Sequence, residues 1–163
     1  MNKLFLAFTL TCAAQSAEPA AHARTEFRFT LDIPYDRAAP LFGALAEQKW
    51  SPGWKPRFIY PDPPEDRQGA VFFVDSGDHS ALWTMTEFDL VRGRIQYVFL
   101  LNQAILTRID IALSRNSASK TDVVVAYHRT ALNAAANDHI KHFSSIDASK
   151  GAEWKSAIEA SMK

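Results

Sequence analysis

From Pro56 to Leu132 the chain is a nearly unbroken series of short alternating runs rich in β-branched and aromatic residues, and a long helical stretch appears only after Leu132. Strands come first and the long helix comes last. Consecutive strands with short connections pair as an antiparallel meander that has one apolar face. That face needs a cover. A single amphipathic helix at the end of the chain can supply it, in an α+β arrangement with room for a cavity between the two layers.

Arg24–Ile33 sets Phe27, Phe29, Leu31 and Ile33 on one side and Glu26, Arg28, Thr30 and Asp32 on the other, which predicts a half-buried first strand. Pro34 ends it. Residues 35–49 turn helical, with Leu41, Phe42 and Leu45 on one face, and Pro40 either starts a second short helix or kinks the first. Trp50-Ser-Pro-Gly-Trp54 reads as a turn, because its proline fixes φ and its glycine permits positive φ. Six more strands follow: Arg57–Tyr60, Ala70–Asp75, Ala81–Leu90, Arg94–Leu101, Ala104–Ser114 and Asp122–Ala131, which makes seven with the first. The proline-dense residues 61–64, the Ser76–His79 and Val91–Gly93 turns and the polar loop 115–120 connect them.

Beyond Asn133 the apolar period changes. Leu132, Ala136, Ile140, Phe143, Ile146, Trp154, Ile158 and Met162 fall mostly on one helical stripe. Ser144, Ser145 and Gly151 interrupt it, so either a break or a weakened helix is expected between Ser145 and Gly151.

A chain of 163 residues with 18 lysines and arginines against 18 aspartates and glutamates fits one domain. Electrical neutrality without a basic stripe argues against a nucleic-acid partner. Residues 1–23 follow other rules: Lys3 begins them, Leu4–Ala14 is an apolar run, and Ala21-His22-Ala23 offers a small-x-small cleavage site, with Ala14-Gln15-Ser16 as a second. They are expected to form a signal peptide ahead of a single domain at 24–163, directing the protein to the periplasm or outside the cell. The apolar run is shorter than the roughly 20 residues a spanning helix needs, so stable membrane insertion is not expected. Cys12, the only cysteine, lies in this leader, which leaves the mature chain without a disulfide, a thiol nucleophile or a thiolate ligand. Nothing in the sequence speaks to oligomeric state.

Short local words carry a family resemblance. Trp50-Ser-Pro-Gly-Trp54, Tyr60-Pro61, Gly69-Ala-Val-Phe72, Trp83 and the Asp89–Gly93 turn, followed by the Tyr127–Leu132 strand end, Asn137 and Trp154, resemble the START-like SRPBCC superfamily, which includes polyketide cyclase relatives. The likeness covers about residues 25–162, and Ala136 stands where that pattern has glycine. It implies the helix-grip fold: a curved seven-stranded antiparallel sheet wrapped around a long C-terminal helix, with two short helices after the first strand and an internal cavity. Fold alone does not imply a reaction.

Cavity candidates are Phe72, Trp83, Glu87, Tyr97, Phe99, Tyr127, Ile140 and Phe143, an aromatic and apolar set suited to a lipid- or polyketide-like molecule. Glu87 enters because strand alternation puts it on the face of Trp83 and Met85; the plainer reading leaves that face solvent-exposed at its end, with Glu87 paired to Arg108 or Arg129. The alternative is a cyclase or hydrolase-like activity using Glu87, Tyr97 or His128. His128, His139 and His142 do not form a convincing metal set. The chain has no Gly-x-Ser-x-Gly elbow, no Gly-x-Gly-x-x-Gly and no P-loop, so neither a catalytic residue nor a cofactor is assigned. The expected partner is a small hydrophobic ligand.

Overall fold

The computed structural model describes residues 18–162 apart from residue 78. The leader run Leu4–Ala14, Cys12 and the upstream cleavage site lie outside the described residues. Seven strands are present: β1 (His22–Leu31), β2 (Arg57–Tyr60), β3 (Val71–Ser76), β4 (His79–Asp89), β5 (Arg94–Leu101), β6 (Ile105–Ser117) and β7 (Lys120–Ala131). They form one curved antiparallel sheet in the order β1-β7-β6-β5-β4-β3-β2, so the meander runs β2 to β7 and β1 closes onto its last strand. The sequence expectation holds for every strand, with shifted ends. β1 starts at His22 rather than Arg24, and β6 and β7 run on through most of the polar loop to leave a turn at Ala118-Ser119.

Between β1 and β2 lie the four-residue helix α1 (Tyr35–Ala38) and 3-10 turns at Ala39–Phe42 and Ala46–Lys49, with Pro40 in the first turn of the Ala39–Phe42 segment. The C-terminal arm consists of α2 (Asn137–Asp147) and α3 (Lys150–Ser161). The expected break falls at Ala148 and Ser149. Ala136 has φ −87° and ψ −4°, a right-handed backbone, so alanine serves at this helix entry where the family pattern has glycine.

The sheet and the arm enclose two apolar clusters. The larger contains Phe27, Leu31, Phe42, Phe72, Met85, Ile95, Tyr97, Val125 and Ile158, all nearly inaccessible to solvent. Side chains of this kind stabilise by about 1.5–3 kcal/mol each on full burial. The smaller cluster joins Ile105, Ala131, Ala136 and Ile140, with Phe143 packed against it. α3 is seated on β1 through backbone as well as side chains: Lys155 Nζ donates to the Thr30 carbonyl at 2.7 Å, and Glu159 accepts the Asp32 N–H at 2.9 Å. A buried ion pair fixes the end of α2, where Asp147 accepts two hydrogen bonds from Arg129 of β7 and one from the Thr25 hydroxyl of β1. At the start of α2 the Asn137 amide donates to the Pro19 carbonyl at 3.1 Å and its oxygen accepts the Ala21 N–H at 2.8 Å.

One irregularity in β4 reorients the predicted site. Met85 pairs with Tyr97 but Glu87 pairs with Gln96, so Thr86 is an extra residue, a β-bulge. Alternation is reset there. Met85 is fully buried and Phe88 packs on the main core, whereas Glu87 turns to the opposite face. Glu87 therefore does not share a face with Trp83, as strand alternation predicted. Its expected arginine partners are engaged elsewhere, Arg108 with Asp110 and Arg129 with Asp147.

Candidate functional site

A cavity of about 110 Å³ lies between the sheet, α3 and the segment joining the 3-10 turns to β2. The sheet contributes Trp83 from β4, Tyr97 from β5 and Tyr127 from β7, above a floor of Ile109 and Ile111 from β6. Inward positions on neighbouring strands lie side by side, and the registers Trp83↔Phe99, Met85↔Tyr97 and Tyr97↔Ile109↔Tyr127 bring these rings together. Trp154 of α3 closes one side, and Trp50, Ser51 and Trp54 the other.

The tryptophans of the Trp-Ser-Pro-Gly-Trp turn both pin that turn and line the cavity. Trp50 Nε1 donates to the Leu41 carbonyl and Trp54 Nε1 to the Ala44 carbonyl, each at 2.7 Å. Their rings then reach across: Trp50 sits 5.2 Å from Trp154, and Trp54 meets Trp83 edge to face at 5.1 Å. The Tyr97 hydroxyl donates to the Phe42 carbonyl at 2.7 Å, which binds the first 3-10 turn to the sheet. Burial raises the phenol of Tyr97 well above its ordinary value and that of Tyr127 likewise. The indole N–H of Trp83 finds no acceptor among the described residues.

Glu47 is the unexpected member. It lies in the second 3-10 turn, is 7% exposed and lines the cavity. Burial pushes its carboxyl well above the ordinary 4.5, and the nearby carboxyl of Asp66 adds to the rise. No hydrogen bond or ion pair from a described residue offsets that cost. Asp66 holds the turn in place. Its carboxylate accepts the Leu45 N–H at 2.7 Å and the Ala46 N–H at 3.3 Å, and it fills the space beside Gly43, where an added Cβ would stand 2.3 Å from its oxygen. The loop of residues 61–69 thus folds back to present Glu47.

The predicted residues divide into four groups. Trp83, Tyr97 and Tyr127 line the cavity; Phe72 and Phe99 stand behind it, each stacked on Trp83, at 6.1 and 4.0 Å. Ile140 and Phe143 are not among the lining residues. They belong to the smaller cluster, because the break after Asp147 gives α2 its own packing partners while α3 faces the cavity. Glu87 and His128 lie on the other face of the sheet. Glu87 borders a groove with Arg24, Arg94 and Arg108, and His128 Nε2 is 3.1 Å from Asp110. Desolvation, helped by Arg108, lowers the His128 pKa below its ordinary 6.5. Among the described residues no three His, Cys, Asp or Glu side chains cluster as metal ligands, and no helix is long and apolar enough to cross a membrane.

No protein-family model matches the chain, and a sequence search of curated proteins finds no match either. Solved structures do match in shape. An uncharacterized protein from Rhizobium leguminosarum is 14% identical with a TM-score of 0.60 over 88% of this chain and 96% of that one. The Mll3558 protein from Rhizobium loti is 13% identical with a TM-score of 0.56 over 88% of this chain and 99% of that one. Norcoclaurine synthase from Thalictrum flavum, in complex with dopamine and hydroxybenzaldehyde, is 10% identical with a TM-score of 0.55 over 80% of each chain. At such identities the likeness is one of fold. With its seven-stranded antiparallel sheet, short helices after β1 and C-terminal helical arm, this chain has the helix-grip fold.

Proposed function

We propose that this chain is a member of the START-like SRPBCC proteins that binds a small, largely apolar molecule in the cavity between sheet and α3. The carrying observation is the cavity itself: among the described residues, four tryptophans and two tyrosines converge on one partly enclosed space with a single carboxyl in its wall. A volume of about 110 Å³ is the room of three or four waters at about 30 Å³ each, below the roughly 300–1,000 Å³ of common ligand pockets. The enclosed part of the ligand is then one ring or one head group. A longer lipid- or polyketide-like molecule would extend past half-buried Ser51 to the surface. In the Thalictrum flavum structure the same fold holds two one-ring compounds, which supports this scale.

Extraction of the purified protein under denaturing conditions, followed by mass spectrometry, tests the reading. A stoichiometric small molecule is expected, and returning it to the stripped protein should change the emission of the cavity tryptophans. If no molecule is recovered and the emission ignores a panel of neutral one-ring compounds, the proposal fails.

Glu47 supports a second reading, acid or base catalysis on the bound molecule, since a buried carboxyl with a raised pKa in a cavity suits proton transfer. Of the residues first considered for catalysis, Tyr97 alone lines this space, and its hydroxyl is engaged with Phe42. Conversion of the recovered molecule on incubation would favour this reading; recovery unchanged would favour simple binding.

Export is proposed as well, with cleavage after Ser16 rather than Ala23. Support comes from Pro19 and Ala21, which Asn137 holds, and from His22 and Ala23, which pair with Thr130 and Arg129 in β1. Cleavage after Ala23 would remove all four. N-terminal sequencing of the exported protein decides it, and a mature start at Arg24 would refute the upstream cut.

A further inference from the structure

We infer that the cavity selects a small organic cation, an amine or a methylated ammonium group, held by the Glu47 carboxylate among the rings of Trp50, Trp54, Tyr97 and Trp154. The inference rests on the cavity-binding reading and narrows it to a charge class. A carboxyl 7% exposed in an apolar wall is costly to ionise unless an opposite charge comes to it. The described residues do not supply that charge. Among the described residues that line the cavity, Glu47 is the one acidic side chain and there is no lysine or arginine. Arg129 lies over the Tyr127 ring at 4.2 Å, but it is not a lining residue, and Asp147 takes its charge.

The rest of the wall is built for a cation. Aromatic faces attract ammonium groups through their quadrupoles, more strongly when water is excluded, and cages of such rings are how quaternary ammonium ligands are commonly recognised. The rings here are fixed rather than adaptable. Trp50, Trp54 and Tyr97 are tied by hydrogen bonds to backbone carbonyls, and Trp83 and Trp154 by edge and tilted contacts to Trp54 and Trp50. With those polar tips engaged, Trp50, Trp54 and Tyr97 offer a ligand aromatic surface rather than N–H or O–H groups, while Trp83, stacked on Phe72 and Phe99, bounds the space. A trimethylammonium head matches a space of about 110 Å³, and the rest of such a molecule would leave beside Ser51.

Choline and its neutral isostere 3,3-dimethylbutan-1-ol separate charge from shape. They would be titrated into the full mature chain while tryptophan emission is followed, with calorimetry on the same samples. Choline should bind at least about tenfold more tightly than the isostere, the factor expected of a desolvated cation–π cage. Glu47→Gln, checked for native circular dichroism, should weaken choline binding more than isostere binding and so shrink that preference. Isostere binding equal to or tighter than that of choline would overturn the inference and leave the cavity-binding proposal standing. Binding of neither would overturn the inference and count against that proposal too. Should Glu47→Gln not fold, the comparison in the unmodified chain still decides.

Discussion

Asp147→Ala tests whether the buried ion pair at the end of α2 governs how the arm grips the sheet. The side chains of Asp147 and Arg129 are 4% and 8% exposed, so their charges are removed from water. Deleting the carboxylate leaves the guanidinium with Tyr127 at 4.2 Å and Phe143 at 5.5 Å. Those ring contacts are worth about 0.5–2 kcal/mol and do not replace an anion. An uncompensated buried charge costs roughly 3–5 kcal/mol, a large part of the ~5–15 kcal/mol that holds a domain folded. At about 2–4 °C per kcal/mol for a chain of this size, the melting temperature should fall by roughly 6–20 °C. Urea titration of the variant against the parent measures the free energy, and a thermal scan supplies the second number. The double variant Arg129→Leu/Asp147→Leu should recover most of the loss, because replacing both members of a buried pair by apolar residues is often neutral or better. A single-variant loss under about 1 kcal/mol, the scale of a surface pair, would refute the reasoning.

Glu47→Gln should change how stability depends on pH. Its carboxyl is raised in the folded protein, so between the ordinary 4.5 and its folded value the unfolded chain releases a proton that the folded chain keeps. Stability therefore falls as pH rises through that window, by about 1.4 kcal/mol for each unit of pKa difference. Removing the group should flatten the decline, with the variant's advantage over the parent growing from pH 4.5 upward; urea midpoints across pH 4–8 test it, and parallel curves for the two proteins would count against the buried-carboxyl account. Gly93→Ala should be far more costly than Gly53→Ala although both glycines have positive φ, at +68° and +81°. At Gly93 the new Cβ would stand 2.2 Å from the Leu113 carbonyl, whereas Gly53 has open space. The second change should cost about 1–2 kcal/mol for its φ and the first clearly more. Equal urea midpoints for the two variants would show that the contact with β6 does not matter.

The strands and the arm could be read from the sequence because their signals are periodic. Phe27, Phe29 and Leu31 alternate in β1, and Ala136, Ile140 and Phe143 recur at helical spacing in the arm. The break near Ser149 was legible too, from the serines and Gly151. Two features of the site were not. The Thr86 bulge leaves no mark in a hydrophobic pattern, since Thr-Glu-Phe-Asp alternates whichever way the strand is reset, and so Glu87 was placed on the wrong face. Glu47 leaves no such signal either, because in the 3.6-residue period that residues 35–49 suggest it falls away from the apolar face of Leu41, Phe42 and Leu45. In a 3-10 turn residues three apart eclipse one another, so Glu47 stands on the side of Trp50. An acid three and seven residues ahead of two tryptophans is the signal that could have revealed it.

The closure of the sheet by β1 also sets an order of events in time. His22–Leu31 leaves the ribosome first, yet its hydrogen-bonding partner, Lys120–Ala131, comes nearly last: Leu31 faces Thr121 and His22 faces Thr130. No shorter stretch of chain can satisfy that strand. The native sheet therefore completes only after almost the whole polypeptide has been made, a non-local pairing of the kind that folds slowly. Until then His22–Leu31 has no native strand partner.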